Sequence, residues 1–255
     1  MPDPTILTTR SFVKKGAYAL IPPDAPVTNL IPEMPECRVK ILASPELGAA
    51  FVQYWLEAAP GKGTVYPLAA ENGIETFFFL LEGTCTLSFC GQTVQAQPGV
   101  FLYCSPLDSF RFTCTGDRPM KALLYKQRYQ PLKGVAAPHS FCSNAAALPP
   151  EEGGSILTRK LIPSDLSFDF QMNLLTFVPG NAHTFVETHL QEHSIYFLEG
   201  KCVYLIGEEW KMVKKDDFLW FGPYTPQACY NLDGERFSYL LSKDCNRDAV
   251  LEKEG

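Results

Sequence analysis

The strongest constraint on this fold is that the chain contains itself twice. The segment ETFFFLLEGTCTLSFCGQTVQAQPGVFLYCSP, starting at Glu75, aligns without a gap on EHSIYFLEGKCVYLIGEEWKMVKKDDFLWFGP, starting at Glu192. That offset of 117 residues also carries Gly83 onto Gly200 and Phe101 onto Phe218. Upstream, Pro60-Gly61 parallels Pro179-Gly180 at an offset of 119, so the first copy holds two extra residues there. The architecture must therefore use one structural unit twice within 255 residues. Inside each copy, β-branched and aromatic runs are broken by Gly, Pro and Asp turns at short spacing, while 3.6-residue periodicity is nearly absent. Gly83 and Gly200 suit tight turns that need a positive φ. Between the copies, PLKGVAAPHSFCSNAAALPPEEGG (Pro131 to Gly154) reads as a linker. The expectation is an all-β chain of two tandem jelly-roll barrels, residues 1–145 and 146–255. The 21 prolines, 18 glycines and 13% aromatic content agree with it.

Charge and cysteine usage narrow the class. A net charge of −6 with no Lys/Arg cluster argues against nucleic acid as a partner. No signal-peptide core and no 18-residue apolar stretch are seen, so no membrane partner and a cytoplasmic location are expected. The nine cysteines form no C-x-x-C pair, and several sit in apolar runs such as FLYCSP. They read as reduced, buried thiols.

Chemistry concentrates around VETHLQEHSIYFLEG, Val186 to Gly200. Three of the chain's four histidines, His183, His189 and His193, fall within eleven residues here. On a strand, Glu187 and His189 project from one face, and His193 follows a short turn. A carboxylate and two neutral imidazoles suit a divalent first-row metal. The other polar candidates read more plainly. His183 is expected in a loop or at a cavity rim, His139 in the exposed linker, and Asp216-Asp217 in a solvated turn with Lys214 and Lys215. The FFFLLEG run looks like an exposed apolar edge, which points to a homo-oligomer.

The spacing from Glu187 through His189 and His193 to Gly200 is that of the first cupin motif, with the first His and the Glu exchanged in kind. Downstream, DFLWFGPYTPQACYN puts Gln227 where the second cupin motif has its histidine, with Asn231 four residues on. Glu-x-His-x3-His with a distant Gln resembles the (S)-ureidoglycine aminohydrolase family, manganese-dependent bicupins of allantoin breakdown. ILASPELGAAFV, GIETFFFLLEG, FLYCSP, ETHLQEH and FSYLLSKDCNRD also resemble segments of that family, so the likeness covers nearly the whole chain.

The resemblance implies a bicupin that releases ammonia from (S)-ureidoglycine to give (S)-ureidoglycolate. It implies Mn2+, or another divalent first-row metal, on Glu187, His189, His193 and Gln227. Lys243 would hold the substrate carboxylate, Glu187 would also move a proton, and Tyr204, Tyr239 and Gln227 would contact substrate. Without the resemblance, Tyr204 and Tyr239 would read as core aromatics. Shifting the four ligands by 117 lands on Ala70, Asn72, Thr76 and Phe110, so the first copy has no metal site. Lys243, by contrast, lands on Lys126, which weakens the case for it as a purely catalytic residue. The first barrel is then expected to supply packing and a subunit interface. Two other readings stay open: a cupin dioxygenase or isomerase on a small polar acid, and a non-catalytic metabolite-binding bicupin.

Overall fold

The computed structural model describes residues 8–71, 73–153, 156–231, 234–244, 247 and 248. The described chain is built almost wholly from strands, as expected. They are β1 (Phe12–Lys14), β2 (Tyr18–Ile21), β3 (Arg38–Ala43), β4 (Phe51–Ala58), β5 (Ile74–Glu82), β6 (Cys85–Phe89), β7 (Gln92–Ala96), β8 (Val100–Cys104), β9 (Phe110–Cys114), β10 (Met120–Arg128) and β11 (Phe141–Asn144). The second half continues with β12 (Glu151–Gly153), β13 (Ile156–Lys160), β14 (Phe170–Phe177), β15 (His193–Glu199), β16 (Lys201–Ile206), β17 (Glu209–Lys214), β18 (Phe218–Phe221), β19 (Gln227–Tyr230) and β20 (Phe237–Asp244). Among the described residues the one helical piece is a 3-10 turn, Ala145–Ala147.

Each copy forms a large sheet and a three-stranded sheet closed over one core. The first barrel joins β11-β8-β5-β10-β4-β3 to β7-β6-β9, and the second joins β1-β2-β18-β15-β20-β14-β13-β12 to β17-β16-β19. The two barrels exchange edge strands. From ahead of the first copy, β2 pairs antiparallel with β18, Leu20 opposite Leu219. From ahead of the second copy, β11 pairs with β8, Cys142 opposite Leu102. Strands β8 and β18 are equivalent in the repeat, so each barrel is completed by the segment that leads into the other. The Pro131–Gly154 stretch is therefore not purely linker, since it contains β11.

The apolar runs are continuous because the large sheets are buried on both faces. Along β5, Phe78 and Leu80 point into the first barrel, while Phe77 and Phe79 pack between the barrels with Phe101, Tyr103, Phe170 and Trp220. The FFFLLEG run is thus not an exposed edge: Phe77, Phe78 and Phe79 are at most 4% exposed. The argument for an oligomer from that run falls away. In β15 the same alternation sends His193, Ile195 and Phe197 inward and Ser194 and Tyr196 to the inter-barrel layer.

The glutamates that open the two copies lie in that layer. Tyr103 donates from its hydroxyl to Glu75 (2.8 Å), and at the equivalent place Trp220 Nε1 donates to Glu192 (3.0 Å). Glu192 also accepts from the backbone N–H of Ala50 in the other barrel (2.9 Å). The Gln127 amide bridges Glu75 and Asp169 at 2.9 and 3.1 Å, and Gln130 N–H donates to Asp169 (2.6 Å). Burial, and then the Asp169 carboxyl beside it, pushes Glu75 up to about 10 from 4.5. A carboxyl raised in this way favours folding at low pH, and that contribution is lost as pH climbs toward the raised value. Glu75→Gln, which mimics the protonated acid, should flatten the fall in melting temperature between pH 5 and 10. An unchanged slope in a thermal-melt series would refute the assignment.

Asp216 is in a turn, with φ 69°. Asp217 is a correction to the solvated-pair reading. It is fully buried and receives both guanidinium nitrogens of Arg10, at 2.9 and 2.6 Å, and Lys214 N–H at 3.0 Å. This bidentate pair ties the N-terminal segment to the second barrel. All eight described cysteines are free; Cys37, Cys85, Cys104, Cys114, Cys202 and Cys229 are buried, and Cys90 is exposed. Cys245 lies outside the described residues.

Candidate metal and active site

The site lies in a cavity of about 340 Å³ in the second barrel, lined by Glu187, His189, His193, Tyr204, Gln227, Tyr239 and Lys243. Pairing rules bring the donors together. Glu187 and Gln227 are 40 residues apart in the chain but exchange both backbone hydrogen bonds, at 2.9 and 3.0 Å. Residues opposed in this way put their side chains on one face. Glu187 and His189 lie not on a strand, as expected, but in an irregular segment held by the isolated Glu187–Gln227 bridge, and both line the cavity. His193 opens β15, directly across from Lys243 on β20. Tyr239 lies four residues from Lys243 on β20 and lines the same cavity.

The two imidazoles and the Gln227 amide form one chain of hydrogen bonds. His193 Nε2 lies 2.8 Å from Gln227 Oε1, and Gln227 Nε2 lies 3.1 Å from His189 Nε2. His189 Nδ1 lies 2.8 Å from the Gln191 carbonyl. Donation there leaves the His189 Nε2 lone pair to accept from the Gln227 amide, the tautomer a metal ligand needs. His193 donates from Nε2 to Gln227 Oε1, and would turn that nitrogen's lone pair to a metal only on losing this hydrogen. Burial, followed by the neighbouring His189 and Lys243, holds His193 down to about 3, and burial also lowers His189. Both rings are therefore neutral donors near neutral pH. His193 is fixed by stacking on Phe221, with ring centroids 5.0 Å apart.

The Glu187 carboxylate lies beside His183, with Oε1 3.9 Å from Nδ1. Among the described residues, no three His, Cys, Asp or Glu side chains close on one point as they stand. The donor set still suits a divalent cation. Two neutral imidazole nitrogens sit on either side of an amide, and a carboxylate projects from the bridge position opposite that amide. His183, expected in a loop or at a rim, lines the cavity, and its Nδ1 is buried without a hydrogen-bond partner. The clue was its place four residues before Glu187, but four is not a same-face repeat that a loop would reveal. His139 is exposed, as expected.

Tyr204 and Tyr239 are 1% and 2% exposed and form the cavity floor, so they serve the core and the site together. Burial pushes both phenols well above their ordinary value. They act as neutral hydrogen-bonding groups and not as bases.

The structure also corrects the internal comparison. The Glu187–Gln227 bridge is matched in the first barrel by a Leu68–Phe110 bridge. The two extra residues of the first copy therefore fall after Leu68. Glu187 corresponds to Leu68 and not to Ala70, and the counterpart of His189 falls between Leu68 and Glu75, a stretch with no histidine; Asn72 lies outside the described residues. His193 and Gln227 still correspond to Thr76 and Phe110, so none of the three aligned places holds a ligand.

No family model matches the chain. An (S)-ureidoglycine aminohydrolase of Escherichia coli is 39% identical over 250 residues, which span 96% of this chain and 95% of that protein. The chain belongs to the (S)-ureidoglycine aminohydrolase family. An Arabidopsis thaliana (S)-ureidoglycine aminohydrolase is 27% identical, over 95% of this chain and 80% of that protein. Among solved structures, protein Ylba of E. coli superposes with a TM-score of 0.87 at 38% identity, covering 96% of this chain and 98% of that one. A cupin 2 conserved barrel protein of Leptotrichia buccalis, at 13% identity and a TM-score of 0.60, shares the fold alone. The family member described here is thus an all-β bicupin.

Proposed function

We propose that this chain hydrolyses (S)-ureidoglycine to (S)-ureidoglycolate and ammonia, within purine and allantoin catabolism. The work is assigned to the second copy, residues 146–255, with Glu187, His189, His193 and Gln227 holding Mn2+ or another divalent first-row ion. One observation supports the reading beyond family membership: the imidazole–amide–imidazole donors line one cavity with Lys243, which is the cross-strand neighbour of His193. A nitrogen and oxygen donor set without thiolate suits harder divalent ions.

A bound cation supplies Lewis-acid polarisation and a template for the donor atoms of the substrate. The rest falls to the chain. The Lys243 ammonium pairs with the substrate carboxylate and fixes which face of the tetrahedral carbon is presented. Tyr204 and Tyr239, neutral and immobile, hydrogen-bond the ureido group. Water takes the place of the amine at carbon, and Glu187 passes the proton that lets the amine leave as ammonia. Among the described residues no helix is long and apolar enough to cross a membrane. The partner this site calls for is a small molecule.

The decisive experiment is ammonia release from freshly made (S)-ureidoglycine by Mn2+-loaded protein, with oxygen uptake followed in parallel. Oxygen uptake without ammonia would replace this reading with a dioxygenase. Lys243→Met should raise KM about 10- to 100-fold, the range of a lost charge-assisted hydrogen bond. An unchanged KM would remove Lys243 from substrate binding.

A further inference from the structure

The first barrel has its own cavity, about 280 Å³ in volume, at the place where the second barrel carries its site. The places of Glu187, His193 and Gln227 are taken in the first barrel by Leu68, Thr76 and Phe110, but the cation is kept. Lys126 stands opposite Thr76 in the β10–β5 pair, as Lys243 stands opposite His193 in the β20–β15 pair. Lys126 follows the inward alternation of Ala122 and Leu124, so it points into the barrel. Its ammonium is held over the Tyr54 ring, 5.3 Å from the centroid. Among the described residues no carboxylate forms an ion pair with it. Thr76 lines the same cavity, is 2% exposed, and its Oγ1 has no hydrogen-bond partner.

A buried hydroxyl without a partner is costly, and a half-buried ammonium beside it favours an anionic acceptor at that place. We propose that the first barrel is a second, metal-independent binding site for a small carboxylate anion, paired with Lys126 and hydrogen-bonded by Thr76 Oγ1. The volume suits a body of a few heavy atoms beside Leu68 and Leu124. A single lysine and one hydroxyl match a monoanion. A phosphate dianion would want more donors, and Arg128 at the rim is already paired with Glu71 at 3.1 Å. Glu33 also lines the cavity, so the anion is placed at the Lys126 end.

The test separates this site from the catalytic one. Metal-free Lys243→Met protein is titrated with sodium glycolate by calorimetry, alone and combined with Lys126→Met. One glycolate per chain is expected for Lys243→Met, and a weakening of about tenfold or more when Lys126→Met is added. Thr76→Val, close in shape, should also weaken binding and stands in if Lys126→Met fails to fold by circular dichroism. No glycolate binding in Lys243→Met, or equal binding with Lys126 and Thr76 replaced, would overturn the proposal. Neither outcome depends on turnover, so a failed ammonia assay leaves this result standing.

Discussion

His193→Ala is expected to lose bound Mn2+ and to lower kcat/KM for ammonia release by about a thousandfold or more, roughly 4 kcal/mol of transition-state stabilisation. The ring is buried and stacked on Phe221, and burial keeps it neutral. Removing it also breaks the hydrogen-bond chain that aligns Gln227 with His189. Gln227→Leu should behave alike, because a leucine of similar size keeps the backbone pairing with Glu187 while deleting the oxygen donor. The readouts are metal per chain by elemental analysis and steady-state kinetics on the same preparation. Wild-type metal content and rate in both variants would dismantle the ligand assignment. A folded protein without metal is the result that supports it.

The second large effect is structural. Gly200→Ala should destabilise the fold by about 2–4 kcal/mol, adding the cost of a left-handed non-glycine residue to that of a steric overlap. Gly200 has φ 75°, and a Cβ there would lie 2.5 Å from the Arg236 carbonyl oxygen and 2.9 Å from Phe237 Cα. Both obstacles are backbone or close to it and cannot swing aside. A drop of roughly 5–15 °C in melting temperature follows for a chain of this size. Gly180→Ala is the matched comparison. Its φ is 78°, but nothing lies within 4 Å of the added carbon, so the loss should stay near about 1 kcal/mol. Equal losses at the two positions would mean that conformation alone, and not the packing of the turn, decides.

The Glu-Gly turn is one of the features legible in the sequence, because its cause is local. The repeat and the strand content are legible for related reasons: the repeat is a matter of register, and strands follow from alternation and turn residues. The nearness of Glu187, His189 and His193 is a matter of short spacing, whereas Gln227, 34 residues beyond His193, joins them only through the resemblance of its segment to the second cupin motif. What was not legible involves partners distant in the chain. Nothing near Asp217 announces that Arg10 will bury it, 207 residues away. Nothing in FFFLLEG says whether its second face meets solvent or another barrel, since apolar runs look alike in both cases. The position of the two-residue insertion was also hidden. Any point between Pro60 and Glu75 satisfies the sequence, and the Leu68–Phe110 bridge narrows it to the stretch between Leu68 and Glu75.

The crossed pairing of β2 with β18 and β11 with β8 also has a consequence in time. A chain is made from its N-terminus, so Leu20 is available long before Leu219, the residue it lies against. The first barrel can close its edge as soon as β11 emerges, because β8 is already present. The second barrel has its outer strands made first and the strand between them and the site made nearly last. Until then β1 and β2 are an open edge able to pair with the wrong neighbour. The second barrel is therefore completed last, by the longest-range pairing in its sheet, and slow folding with exposure of the β1–β2 edge is expected at that stage.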